Sequence, residues 1–160
     1  MAYYSGTAQE IQMFLDGVLS IGTGRANLPT EEVEKHQAAI DEFINARLSS
    51  TYAVPLKQIT RNGETKYPDP IPYIAKRLVA ASLISTFYSG EAPNVSEQAR
   101  RIREEALFDL ESLINGIGAG TIRLEGQRLI SKVRAAKSTL QPQPVPGTPV
   151  ETPTGGIGVK

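Results

Sequence analysis

The stretch from Ile71 to Tyr88 constrains the fold more than any other part of the chain. Ile71, Ile74, Leu78, Val79, Ala80, Ala81, Leu83, Ile84, Phe87 and Tyr88 wrap most of the circumference of a helix running from about residue 70 to 89. A helix that is apolar on nearly every side is stable in water only when other elements cover it. The fold is therefore expected to be mainly α, a small helical bundle around a buried central helix. With 160 residues there is room for one such core and not for two. Aromatic residues make up 6% and Trp is absent, so Leu, Ile, Val and Ala must fill that core.

The covering elements are legible from capping and periodicity. Thr7-Ala8-Gln9-Glu10 has the spacing of a capping box. It predicts a short helix to about Ser20 carrying Ile11, Phe14, Leu15, Val18 and Leu19. Gly22, Gly24 and Asn27-Leu28-Pro29 break the pattern. Thr30 is expected to cap a second helix to about Ser50, with Glu31 and Glu32 at its positive end and Val33, Ile40, Phe43, Ile44 and Leu48 as its apolar stripe. Asp69 followed by Pro70 reads as an N-cap and preset first position for the central helix, which Gly90 and Pro93 end. Asn94-Val95-Ser96-Glu97 announces a last helix over 97–115, buried through Ile102, Ala106, Leu110, Leu113 and Ile114.

Between the second and central helices the pattern changes. Asn62-Gly63 separates Gln58-Ile59-Thr60-Arg61 from Glu64-Thr65-Lys66-Tyr67, the strongest local signal for a type I′ hairpin. A projecting ribbon is expected over about 57–67. After the last helix, Gly116 to Gly120 read as a C-cap and hinge, Thr121 to Leu124 alternate like a short strand, and Gly126 suggests a turn. Pro142, Pro144, Pro146, Pro149 and Pro153 then mark an extended segment. The organisation expected is a helical domain over 1–120, a basic arm over 121–140 and a Pro/Gly-rich extended tail over 141–160.

Catalysis finds little support. The absence of Cys excludes disulfides, thiolate nucleophiles and Cys-based zinc sites, and fits a reducing cytoplasm. His36 is the only histidine and reads as an ordinary, partly exposed helical residue. Neither metal-ligand spacing nor a phosphate loop occurs; Gly22-Thr23-Gly24 lacks the Lys-Ser/Thr, and Gly116 to Gly120 follow a helix instead of joining a strand to one. Neighbouring carboxylates such as Glu31 with Glu32 and Glu104 with Glu105 fall at helix ends or on solvated faces. No catalytic, cofactor-binding or metal residues are expected, so the reading is not an enzyme and has no cofactor. Neither a signal peptide nor a membrane span is recognisable, and no membrane partner is expected.

Two features remain. Seventeen Lys+Arg balance seventeen Asp+Glu overall, yet residues 121–137 hold Arg123, Arg128, Lys132, Arg134 and Lys137 against Glu125 alone, five cations to one acid. That arm is either a solvated element leaving the domain or a docking surface for an acidic partner or for phosphates. The second feature is the hairpin, where Lys57, Arg61 and Lys66 stand against Glu64 around Asn62 and Gly63. A protruding two-stranded ribbon is of little use to a small domain unless something packs on it.

The order of elements resembles a known family. Ile40-Asp41-Glu42-Phe43-Ile44-Asn45-Ala46-Arg47-Leu48 followed by Tyr52-Ala53-Val54-Pro55-Leu56 is similar to a stretch of tailed-bacteriophage head-tail connector (adaptor, head-completion) proteins, including the Mu-like prophage branch. Pro70-Ile71-Pro72-Tyr73-Ile74-Ala75 with Leu83-Ile84 and Tyr88 looks like that family's buried helix. Ala99 to Glu111 with Gly116 to Gly120 looks like its last helix and glycine turn. The resemblance covers about residues 1–125 and brings no catalytic motif. It implies a structural protein of the virion neck, assembled in the host cytoplasm. Twelve copies would form a ring beneath the portal protein, contact a stopper or tail-completion protein, and pass DNA through the lumen without reading its sequence. Arg123, Arg128, Lys132, Arg134 and Lys137 would then contact portal or a neighbouring subunit, and Lys57, Arg61, Asn62, Gly63 and Lys66 would make hairpin contacts or line the lumen. The alternative is a small nucleic-acid-binding regulator using the arm and Arg100-Arg101-Ile102-Arg103; against it, the rest of the chain is not basic and offers no aromatic stacking platform.

Overall fold

The computed structural model describes residues 3–15, 28–88 and 93–130. The expected continuation of the first helix to Ser20, the Gly22–Gly24 loop, the tail and three arm cations, Lys132, Arg134 and Lys137, lie outside them. The protein is mainly helical with one small antiparallel hairpin. Its elements are α1 (Ala8–Gln12), α2 (Thr30–Leu48), β1 (Ile59–Arg61), β2 (Glu64–Lys66), α3 (Ile71–Tyr88) and α4 (Pro93–Gly118).

The apolar character of α3 is used on more than one side, and α1, α2 and α4 all pack against it. Ile71, Ile74, Ala75 and Leu78 join Ile44, Leu48, Leu110 and Leu113 in one buried cluster. Val79, Ala80, Leu83 and Ile84 join Ile11, Leu15 and Val33 in another. Phe87 departs from the expectation; it is 42% exposed near the end of the helix. Arg77, almost covered, bridges from α3 to Glu105 and Asp109 on α4, with its guanidinium 5.3 Å from the Tyr73 ring centre.

Helix starts follow the chain's prolines more closely than its capping side chains. Thr7 and Glu10 form the reciprocal capping box of α1 as the spacing requires. Thr30, however, is the first residue of α2 and not its cap. Pro29 holds that position in an extended conformation, and its carbonyl accepts from Glu32 and Val33 (3.1 and 3.3 Å). Asp69 likewise does not cap α3. The carbonyls of Pro68 and Pro70 accept from Ile71 and Ile74, while the Asp69 carboxylate lies 3.6 Å from Lys66. α4 opens at Pro93, ahead of the Asn94–Glu97 signal, because proline's fixed φ suits a first helical turn. The helix runs past Asn115 to Gly118 and is closed by Gly120, at φ +74°, whose N–H donates to Ile117.

The largest correction concerns residues 121–130, expected to leave the domain as the start of a basic arm. One compact unit extends to Ile130. Leu124 is 2% exposed and belongs to the core, and its N–H donates to the buried Tyr52 hydroxyl (3.0 Å). Thr121 to Leu124 are not a strand. Pairing occurs farther on, where Leu129 forms an antiparallel bridge with Tyr52, Ala53 N–H donates to Arg128 (2.8 Å) and Ile130 N–H donates to Thr51 (3.0 Å). The glycine turn reverses the chain onto the body instead of acting as a hinge. Gly116 permits this, since a Cβ there would stand 2.5 Å from Ile122 Cδ1.

Candidate interaction surface

The hairpin pairs Ile59 with Lys66, Thr60 with Thr65 and Arg61 with Glu64. Asn62 and Gly63 supply the positive φ values, +52° and +83°, that a type I′ turn demands. Pleating puts Thr60 and Thr65 on one face, their hydroxyls 3.0 Å apart, and Ile59, Arg61, Glu64 and Lys66 on the other. Apart from half-buried Ile59, every residue of the two strands and the turn is exposed. Three-residue strands do not hold themselves in place in water, so the ribbon's orientation must come from its base.

That base is the segment after α4. Gln127 is buried and its side-chain amide pairs with the backbone of Lys57 in both directions, Lys57 N–H donating to Oε1 and Nε2 donating to the Lys57 carbonyl, each at 2.8 Å. It mimics one rung of a β-ladder. Gly126, at φ +67°, lets the backbone pass beneath Ile59, where a Cβ would stand 2.5 Å from Ile59 Cγ2. Glu125 lies 3.7 Å from Arg61 across solvent, a pair too exposed to contribute much.

Two features that the sequence suggested separately are thus joined through Gln127 and Gly126. Lys57, Arg61, Asn62, Gly63 and Lys66 are exposed on or beside the ribbon, and Arg123 and Arg128 are exposed on the segment that supports it. By contrast, Arg100 and Arg101 are interleaved with acids on α4, Arg100 reaching Glu97 and Glu104 and Arg101 reaching Glu105. His36 is partly buried, with Nδ1 2.8 Å from Ser82 Oγ, and burial holds its pKa below the usual value.

Next to this surface lies a cleft of about 450 Å³, lined by Tyr3, Tyr4, Ala38, Asp41, Glu42, Asn45, Pro55, Leu56 and Tyr67. Tyr4, nearly covered, fastens the N-terminal segment to α2 and to the approach of the hairpin. Its hydroxyl donates to Asn45 Oδ1 (2.5 Å) and accepts from Leu56 N–H (2.7 Å), and its N–H donates to the Asp41 carboxylate (3.0 Å). Burial pushes Asp41 up to about 6, against the lowering effect of that N–H. Burial also raises Tyr4 and Tyr67, with the Asp41 charge adding to both. Among the described residues no Lys or Arg forms an ion pair with Asp41 or Glu42.

Sequence reasoning did not single out Gln127 or Tyr4, and Asp41 stood in it only as one position of the Ile40–Leu48 stretch. A buried glutamine that substitutes for a strand has no local pattern; Tyr52 and Leu56, which touch the same region, did stand in the Tyr-x-x-Pro-Leu stretch. Among the described residues no cluster of His, Asp or Glu is arranged to hold a metal, and no helix is long and apolar enough to cross a membrane. No protein-family model, no curated protein and no solved structure matches the chain.

Proposed function

We propose that the chain is a structural, non-enzymatic head-tail adaptor of a tailed bacteriophage or prophage, whose copies form a ring beneath the portal that joins capsid to tail and lets DNA pass. The helices are read as a small bundle built around α3, with the ribbon and its supporting segment as the assembly surface. The observation that carries this reading is the ribbon itself. It is exposed on both faces, yet fixed to the body by Gln127 and by the passage of Gly126 under Ile59. An exposed element held rigidly in place presents backbone edges and side chains to a partner with little further ordering to lose on contact. The exposed cations Lys57, Arg61, Lys66, Arg123 and Arg128 around it suit an acidic neighbour or a wall past which DNA moves.

The test is to mix the purified chain with portal rings from the same genome and image the product by negative-stain electron microscopy. An added annular layer, reduced when Arg61 and Lys66 are both changed to Glu, is the expected outcome. Portal particles that stay unchanged at saturating protein would overturn the adaptor reading.

A further inference from the structure

We propose that the groove between α2 and α4, over one face of α3, receives Phe108 of a second copy of this chain, with Glu111 of that copy meeting the arginines at the groove's edge. This deepens the assembly reading above and rests on it for the biological setting.

α2 and α4 pack on α3 from two sides and hardly meet each other, so among the described residues a strip of α3 stays open between them. Leu78 and Ala81 form the floor of the resulting groove, Ile40 and Phe43 one wall, and Leu107 and Arg103 the other. Its volume is about 350 Å³, against roughly 150 Å³ for a cavity that admits benzene. The edge is positive. Arg47 lies over the Phe43 ring, 5.2 Å from its centre, and neither Arg47 nor Arg103 forms an ion pair with a described residue. Acids near them along the same helices are engaged with other cations, Glu32 with Lys35, and Glu97 and Glu104 with Arg100. An apolar slot edged by two arginines suits an apolar anchor that carries an acid beside it.

The same chain carries that anchor. Phe108 is 70% exposed on α4. It does not line its own groove, because Leu107, next in sequence and about 100° away round the helix, is the residue turned there. On the preceding turn Glu104 and Glu105 meet Arg100, Arg101 and Arg77. On the following turn Glu111 is exposed and pairs with no described cation. Three positions apart, Phe108 and Glu111 leave the helix on one side, an apolar residue with an acid, the complement of Phe43 and Leu107 with Arg47 and Arg103. The occupant that answers both the shape and the charge of the groove is therefore another copy of the chain. Groove and anchor are separate surfaces, so one copy can give and receive at once; such a heterologous contact, repeated, closes a ring when the rotation allows.

The test uses the full chain. Sedimentation velocity at low salt should show concentration-dependent association that weakens on the order of tenfold or more in Phe108→Ala, which removes the anchor, and in Ser85→Trp, which fills the groove from α3. Both positions are exposed, so both variants should keep the parent's helical circular dichroism. Mixing the two variants supplies one intact groove and one intact anchor and should restore pairs that neither forms alone. Glu111→Arg should weaken association by itself and recover it when Arg47 and Arg103 are both changed to Glu. Association indifferent to Phe108→Ala and Ser85→Trp, a mixture that stays monomeric, or a charge swap without recovery overturns the proposal. A parent that is monomeric at millimolar concentration overturns it too; a soluble paramagnetic probe that then fails to broaden the Leu107 methyl signals would assign the groove to the chain's own residues. Portal binding, measured separately, distinguishes failure of this contact from failure of the adaptor reading.

Discussion

Replacing Leu124 by Ala asks whether the segment after α4 is part of the fold or an appendage. Leu124 is 2% exposed and sits in the cluster formed by Ile44, Leu48, Tyr52, Ile71 and Leu110. Truncating a fully buried leucine removes its transfer free energy and leaves a space the neighbours fill only partly, about 2–5 kcal/mol in all. At a central cost near 3 kcal/mol, and an unfolding entropy of about 2 cal/mol/K for each of the 130 residues of the compact unit, the melting temperature should fall by roughly 10 °C. The Arg123→Ala neighbour, whose side chain is exposed, should change stability by no more than about 0.5 kcal/mol. Thermal unfolding followed by circular dichroism at the helical minimum measures both. A Leu124→Ala protein melting within about 2 °C of the parent would refute the packing argument and return residues 121–130 to the status of a free arm. By the same reasoning a chain ending at Ala119 should be strongly destabilised and not merely deficient in binding.

Gln127→Ala strands the N–H and carbonyl of Lys57 and should cost about 1–3 kcal/mol, with the loss of Lys57 amide protection in hydrogen exchange as its local signature; retained protection would mean that the ribbon is held by something else. Asp41 sets a pH signature of its own. Its folded-state pKa is raised to about 6 from an ordinary 3.8, so between those values the folded protein binds more protons than the unfolded chain. Its contribution is therefore most favourable below about pH 4 and is lost as pH rises through 6. Asp41→Asn, which keeps an acceptor for Tyr4, should match the parent near pH 4 in urea unfolding and become the more stable protein by pH 7; an advantage that is flat across that range, or reversed, would contradict the buried-carboxylate account.

What the sequence made legible follows from the range over which each signal acts. The all-round apolar pattern of 71–88 required covering elements, and the Asn62-Gly63 turn required a hairpin, because each depends on residues within a few positions. Capping failed at Thr30 and Asp69 for an equally local reason: the neighbouring prolines already fixed the backbone, leaving the side chains free for other partners. The expected arm failed differently. Its alternating Thr121 to Leu124 and its net positive charge describe surface preference, but Leu124 is held by Tyr52 and Gln127 by Lys57, each about seventy positions away, and no local pattern records such a pairing. Separation along the chain likewise hides the cleft, which exists because Tyr4 reaches across to Asn45 and Leu56, 41 and 52 positions away. The prospective functional surfaces thus arise at long-range closures, where one side chain replaces a strand or fastens a terminus. Charge composition could indicate that the segment after α4 is basic; only the closures at Tyr52 and Lys57 show that Arg123 and Arg128 stand on the body of the domain.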